Sequence, residues 1–87
     1  MCTAIAEKAP IEGAAKGAGG WFGLNQLYLA YDHPFHVDLE HALCVSFVRE
    51  AADTTTRVAV ELPRQAARDL AHRILAALDR AEDCEAR

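Results

Sequence analysis

Large side chains are scarce in this sequence. Of its 87 residues only six are aromatic, three Phe, two Tyr and one Trp, and alanine supplies 18 of the residues in a hydrophobic fraction of 52%. A domain of this length buries roughly 60–65% of its unfolded surface, and alanine adds little to that sum. Positive charge is also short: nine basic residues face thirteen acidic ones, for a net charge of −4. Nucleic acid and anionic membrane, which both need a positive footprint, are excluded as expected partners. No apolar run approaches the roughly 20 residues of a membrane span. The N-terminus has no basic region followed by an apolar stretch, as a secretory signal would. Cysteines number three, Cys2, Cys44 and Cys84, an odd count without a C-x-x-C, which speaks for a reducing compartment rather than a disulfide framework. The expectation is a cytoplasmic, soluble, single domain spanning 1–87.

What is present divides into a first half punctuated by Gly and Pro, a β-rich middle and a helical tail. Residues 3–8 form a candidate first strand, weakened by alanine. Residues 10–20 hold four glycines and read as a loop, with Gly19-Gly20 turning into the next strand. Period-two alternation marks strands near 24–31, 42–48 and 57–62. Asp32-His33-Pro34 ends the first of these, because Pro34 removes a ladder donor and restricts His33. Pro63 opens a helix near 63–81, whose Ala67, Leu70, Ala71, Ile74, Leu75, Leu78 and Ala81 make one apolar stripe. Residues 82–87 are a charged, fraying tail. The predicted fold is α+β: a four-stranded antiparallel meander with one C-terminal amphipathic helix packed on one face.

In that meander Leu27, Leu29, Tyr31, Leu43, Val45, Phe47, Val58, Val60 and Leu62 share the face that meets the helix. The other face carries Ala4, Ala6, Tyr28, Ala30, Ala42, Cys44, Ser46 and Ala59, small residues with few charges. This pale face is expected to stack on its counterpart in a homodimer, which would compensate for a thin core. Its alternative use is to line a pocket for a small-molecule substrate.

Chemistry concentrates in Asp32-His33-Pro34-Phe35-His36-Val37-Asp38-Leu39-Glu40-His41. Three imidazoles within nine residues suit a divalent transition metal such as zinc, copper or iron. The spacing matches no zinc finger and no H-E-x-x-H. Topology adds to it, since a meander brings Cys2, His33 and His41 to one end of the sheet, near the start of the helix. The first expectation is therefore a metal site of His33, His36 and His41 with Cys2 as fourth ligand, and with Glu40 or Asp32 orienting a ring or moving a proton. The same histidines acting as acid and base without a cofactor, in a cyclase or isomerase, are the second. A non-catalytic dimeric accessory protein is the third. His72 is expected at the surface, Cys44 as a small packed residue, and Cys84 in the tail. Lys16-Gly-Ala-Gly-Gly lacks the Gly-Lys-Ser/Thr ending of a phosphate loop and reads as a hairpin connection.

The opening Met-Cys-Thr-Ala-Ile-Ala-Glu-Lys, Ile11-Glu12-Gly13, Lys16-Gly17, Gly20-Trp21-Phe22, Asp32-His33-Pro34 with His36, Glu40-His41 and Val58-Ala59-Val60-Glu61-Leu62 resemble a family of small uncharacterised actinobacterial proteins. The resemblance covers most of the chain, and in the helical tail it is one of pattern only. It implies a bacterial, cytoplasmic protein of the sort encoded near specialised-metabolism genes. It assigns no catalytic residue.

Overall fold

The computed structural model describes residues 5–85, with side chains from residue 6 onward. Four strands, β1 (Ile5–Gly17), β2 (Gly20–Asp32), β3 (Ala42–Glu50) and β4 (Thr55–Leu62), precede one helix, α1 (Arg64–Glu85). The sheet order is β1-β2-β3-β4 and every pairing is antiparallel. The α+β meander with a C-terminal helix is therefore the fold.

The main departure from expectation lies in residues 10–17. They continue β1 instead of forming a loop, because the Gly- and Ala-rich segment finds partners on the equally long β2: Ala15 faces Phe22, Lys16 faces Trp21 and Gly17 faces Gly20. Ala18 and Gly19 alone make the turn. Gly20, which leaves it, has φ +110°, a conformation that disfavours a side chain. The register shifts by one residue between Pro10 and Gly13. This β-bulge breaks the period-two signal and adds twist.

The twist brings the hairpin tip round toward β4. Gly17–Phe22 and Thr55–Arg57 line one hollow of about 440 Å³, and the Arg57 guanidinium stands 5.9 Å from the Tyr28 ring centre. The concave side is the face of Lys8, Tyr28, Ala30, Cys44, Ser46, Val48, Ala59 and Glu61, as the pairings Lys8–Tyr28, Tyr28–Ser46, Ser46–Ala59 and Cys44–Glu61 require. This pale face has more charge than expected. The Tyr28 hydroxyl donates to Glu50 at 2.7 Å, and the Lys8 ammonium lies 3.2 Å from the same carboxylate.

On the opposite face the sheet residues Leu27, Leu29, Leu43, Val45, Phe47 and Leu62 meet Ala67, Leu70, Ala71 and Ile74 across an apolar groove of about 340 Å³. The helix starts one residue later than expected. Pro63 caps it, its carbonyl accepting the Ala67 N–H at 2.9 Å. It continues to Glu85, and no residue in it is buried. Leu70, Ile74, Leu75 and Leu78 remain 48, 50, 60 and 56% exposed. Ala42 and Val48 are the fully buried hydrophobic residues among those described, and both belong to the concave face. Within one chain, the face that carries the apolar pattern is not closed.

Candidate functional site

The pairings Ile5–Tyr31, Asp32–Ala42 and Leu43–Leu62 gather the start of β1, the end of β2, the start of β3 and the end of β4 at one end of the sheet. The histidine segment connects β2 to β3 there, and α1 begins beside it. Cys2 lies outside the described residues.

Two of the three histidines come together. The ring centres of His33 and His41 are 4.8 Å apart with 27° between planes, and His41 also stacks on Tyr31 at 5.6 Å and 18°. Arg64, the first residue of α1, completes the column. Its Nη2 and Nε donate to the Tyr31 hydroxyl at 2.8 and 3.3 Å, and its guanidinium carbon lies 5.4 Å from the ring centre. Cation and aromatic face attract one another electrostatically.

His33 Nδ1–H donates to the Glu40 carbonyl oxygen at 2.7 Å. A carbonyl only accepts, so this bond places the proton on Nδ1 and leaves Nε2 with its lone pair. The Asp32 carboxylate accepts the His33 backbone N–H at 2.8 Å and turns the chain out of β2. Glu40 thus serves through its backbone, and its side chain is exposed. Imidazole lone pairs lie in the ring plane, so stacked rings aim them side by side rather than at a common point. A single ion shared by His33 and His41 would require one ring to turn.

His36 goes elsewhere. Its ring is 89% exposed, with Nδ1 3.7 Å from Glu61 Oε2, and Glu61 occupies the concave face, opposite the one bearing Tyr31. Among the described residues no group of three or more His, Cys, Asp and Glu side chains is placed to hold a metal ion.

Glu61 is the residue that sequence reasoning passed over. Its carboxylate accepts three consecutive backbone N–H groups, from Phe35 at 2.8 Å, His36 at 2.8 Å and Val37 at 3.1 Å. Those bonds pin the histidine loop across β4. The Phe35 amide foremost, then those of His36 and Val37 with the His36 ring, hold the Glu61 carboxyl below its ordinary value against the opposing effect of desolvation. Partners 24 to 26 residues away leave no local spacing signal, and alternation alone marks Glu61 as merely polar.

Glu50 is a second such hub. The Tyr28 hydroxyl first, and Lys8 next, lower its carboxyl from the usual range. Asn25 clasps its backbone, Nδ2 donating to the Glu50 carbonyl and Oδ1 accepting from the Glu50 N–H, both at 2.8 Å. Cys44 behaves as expected of a packed thiol. Burial foremost, then the negative Glu61 and Asp32, push it up. His72 and Cys84 are exposed.

No curated protein and no solved structure matches the chain. A model of a family of unknown function, DUF6295, matches residues 1–87. The chain belongs to that family over its whole length.

Proposed function

We propose that this chain is a non-catalytic accessory protein that works within a protein assembly, with the groove between α1 and the sheet as its working surface. One observation carries the reading: the fully buried hydrophobic residues among those described, Ala42 and Val48, lie away from the helix, and no helix residue is buried. An apolar stripe left half in water forfeits the burial that drives folding, about 1.5–3 kcal/mol for each fully buried Leu or Ile. A covering protein surface recovers it. Sedimentation combined with amide exchange on the purified chain tests this. The expected result is an assembly in which helix amides near Leu70 and Ile74 are protected. A cooperatively melting monomer with the same protection overturns it.

A second reading is favoured by the bond from His33 Nδ1 to the Glu40 carbonyl. It fixes the tautomer in which Nε2 ligates a metal or moves a proton. In this reading His33, with His41 after one ring turns and with Cys2, takes a divalent transition metal, supported by Asp32 or Glu40, for chemistry on a small molecule. Elemental analysis of untagged protein and of His33→Ala decides it. Stoichiometric zinc, copper or iron that is lost in the variant supports the metal. Its absence after reconstitution with each ion removes the metal and leaves cofactor-free proton transfer by the same ring.

A further inference from the structure

The geometry points to a second copy of this chain as the occupant of the apolar groove, in a two-fold dimer that packs helix-bearing face against helix-bearing face. This rests on the assembly reading and names its partner. Three observations lead to it.

The first is chemical. Every residue lining the groove is aliphatic or aromatic, so the occupant must present an uncharged apolar surface; a charged peptide would lose its hydration without a partner charge. The chain carries such a surface beside the groove, in Leu75 and Leu78, 60 and 56% exposed. A two-fold interface needs one patch that complements itself, and a groove flanked by its own protruding apolar stripe meets that condition.

The second is area. The chain exposes 6924 Å², roughly 1,900 Å² more than the ~5,000 Å² typical of a compact monomer of this mass. A standard interface takes about 800 Å² from each partner, and obligate dimers take more. The excess covers a dimer interface with a wide margin.

The third is shape. The radius of gyration is 15.3 Å, against roughly 12 Å for a compact domain of 87 residues. A helix of 22 residues spans about 33 Å. Ala67, Leu70, Ala71 and Ile74 line the groove, and Leu75 and Leu78 continue the stripe beyond them, exposed, where a partner's groove can receive them. The pale face is a poorer candidate, because Lys8, Tyr28, Glu50, Arg57 and the pinned loop already occupy much of it.

Sedimentation equilibrium at micromolar concentration tests the proposal with three proteins: the natural chain, Leu70→Glu/Ile74→Glu in the groove, and Ala59→Glu on the pale face. The expected result is twice the 9.5 kDa chain mass for the first and third, with a melting temperature that rises with concentration. The second is expected at the single-chain mass. If it fails to fold, the concentration dependence of melting in the natural chain carries the test. A dimer broken by Ala59→Glu and kept by the groove variant overturns the assigned face. A natural chain that is monomeric and does not melt cooperatively overturns the second copy while the assembly reading stands. A monomer that melts cooperatively overturns both.

Discussion

Replacing Asn25 tests how this sheet is held beyond its backbone ladder. The β2–β3 pairing ends at Gln26–Val48, and the Asn25 side chain then supplies what another residue pair would: a donor to the Glu50 carbonyl and an acceptor for the Glu50 N–H, each at 2.8 Å. A net hydrogen bond is worth about 0.5–1.5 kcal/mol, so Asn25→Ala is expected to cost about 1–3 kcal/mol. For a domain of this size a loss near 2 kcal/mol lowers the melting temperature by roughly 8–16 °C. Asn25→Asp is more informative. It keeps the acceptor, loses the donor and turns a carboxylate oxygen toward the Glu50 carbonyl. Once ionised it should be at least as destabilising as Asn25→Ala. The introduced carboxyl is disfavoured when charged, so its folded pKa is raised. The stability it contributes is present at low pH, where it is protonated and donates again, and is lost as pH rises through that value. The assay is thermal melting by circular dichroism from pH 3 to 8, at one protein concentration because association shifts melting. Unchanged melting of Asn25→Ala, or a gap between Asn25→Asp and the natural chain that ignores pH, would refute the clasp.

Acid should loosen the histidine loop. The Glu61 and Glu50 carboxyls are both held below the ordinary 4.5, so the stability they contribute is present above that value and is lost as pH falls through their lowered folded pKa values. Glu61→Gln and Glu50→Gln are each expected to flatten this acid limb, read from melting temperature against pH. In Glu61→Gln the amide meets the Phe35 N–H with a donor, so exchange at Phe35 should quicken at neutral pH, as measured by NMR. In a Cys2→Ser background, Cys84 is exposed and Cys44 only partly so, and burial disfavours the Cys44 thiolate; Ellman's reagent should therefore react with Cys84 in a fast phase and with Cys44 in a slow one, and equal rates would contradict the packing of Cys44.

The elements legible in the sequence were those whose periodicity runs uninterrupted. Val58, Val60 and Leu62 alternate cleanly, and the α1 stripe repeats at helical spacing over residues 67–81. Residues 10–17 were obscured because Gly and Ala carry little strand propensity and the bulge after Pro10 shifts the period. What makes them a strand is pairing with Trp21 and Phe22, a tertiary cause. The histidine segment was legible as a cluster, and its place at the end of the sheet followed from the meander. Its internal geometry was not. Glu61 takes the loop backbone, drawing His36 to the concave face, while the Tyr31–Arg64 pair anchors His41 and His33 on the other. The helix stripe was legible, but not how little of it one sheet would cover.

The histidine column and the groove share one mechanical element. Arg64 holds Tyr31 at the root of α1, Ala67, Leu70, Ala71 and Ile74 line the groove in the turns that follow, and Leu75 and Leu78 stand exposed beyond them. In the proposed dimer, a surface that covers Leu75 and Leu78 would bear on the angle at which the helix leaves that root, and through Arg64 and the Tyr31 ring on the stacked His41 and His33. Turning one imidazole is the change that convergence of their lone pairs requires. The proposed link between assembly and the histidine column predicts that groove variants that separate the chains also alter the His41 and His33 ring signals in NMR. Ring signals indifferent to the groove variants would uncouple the two.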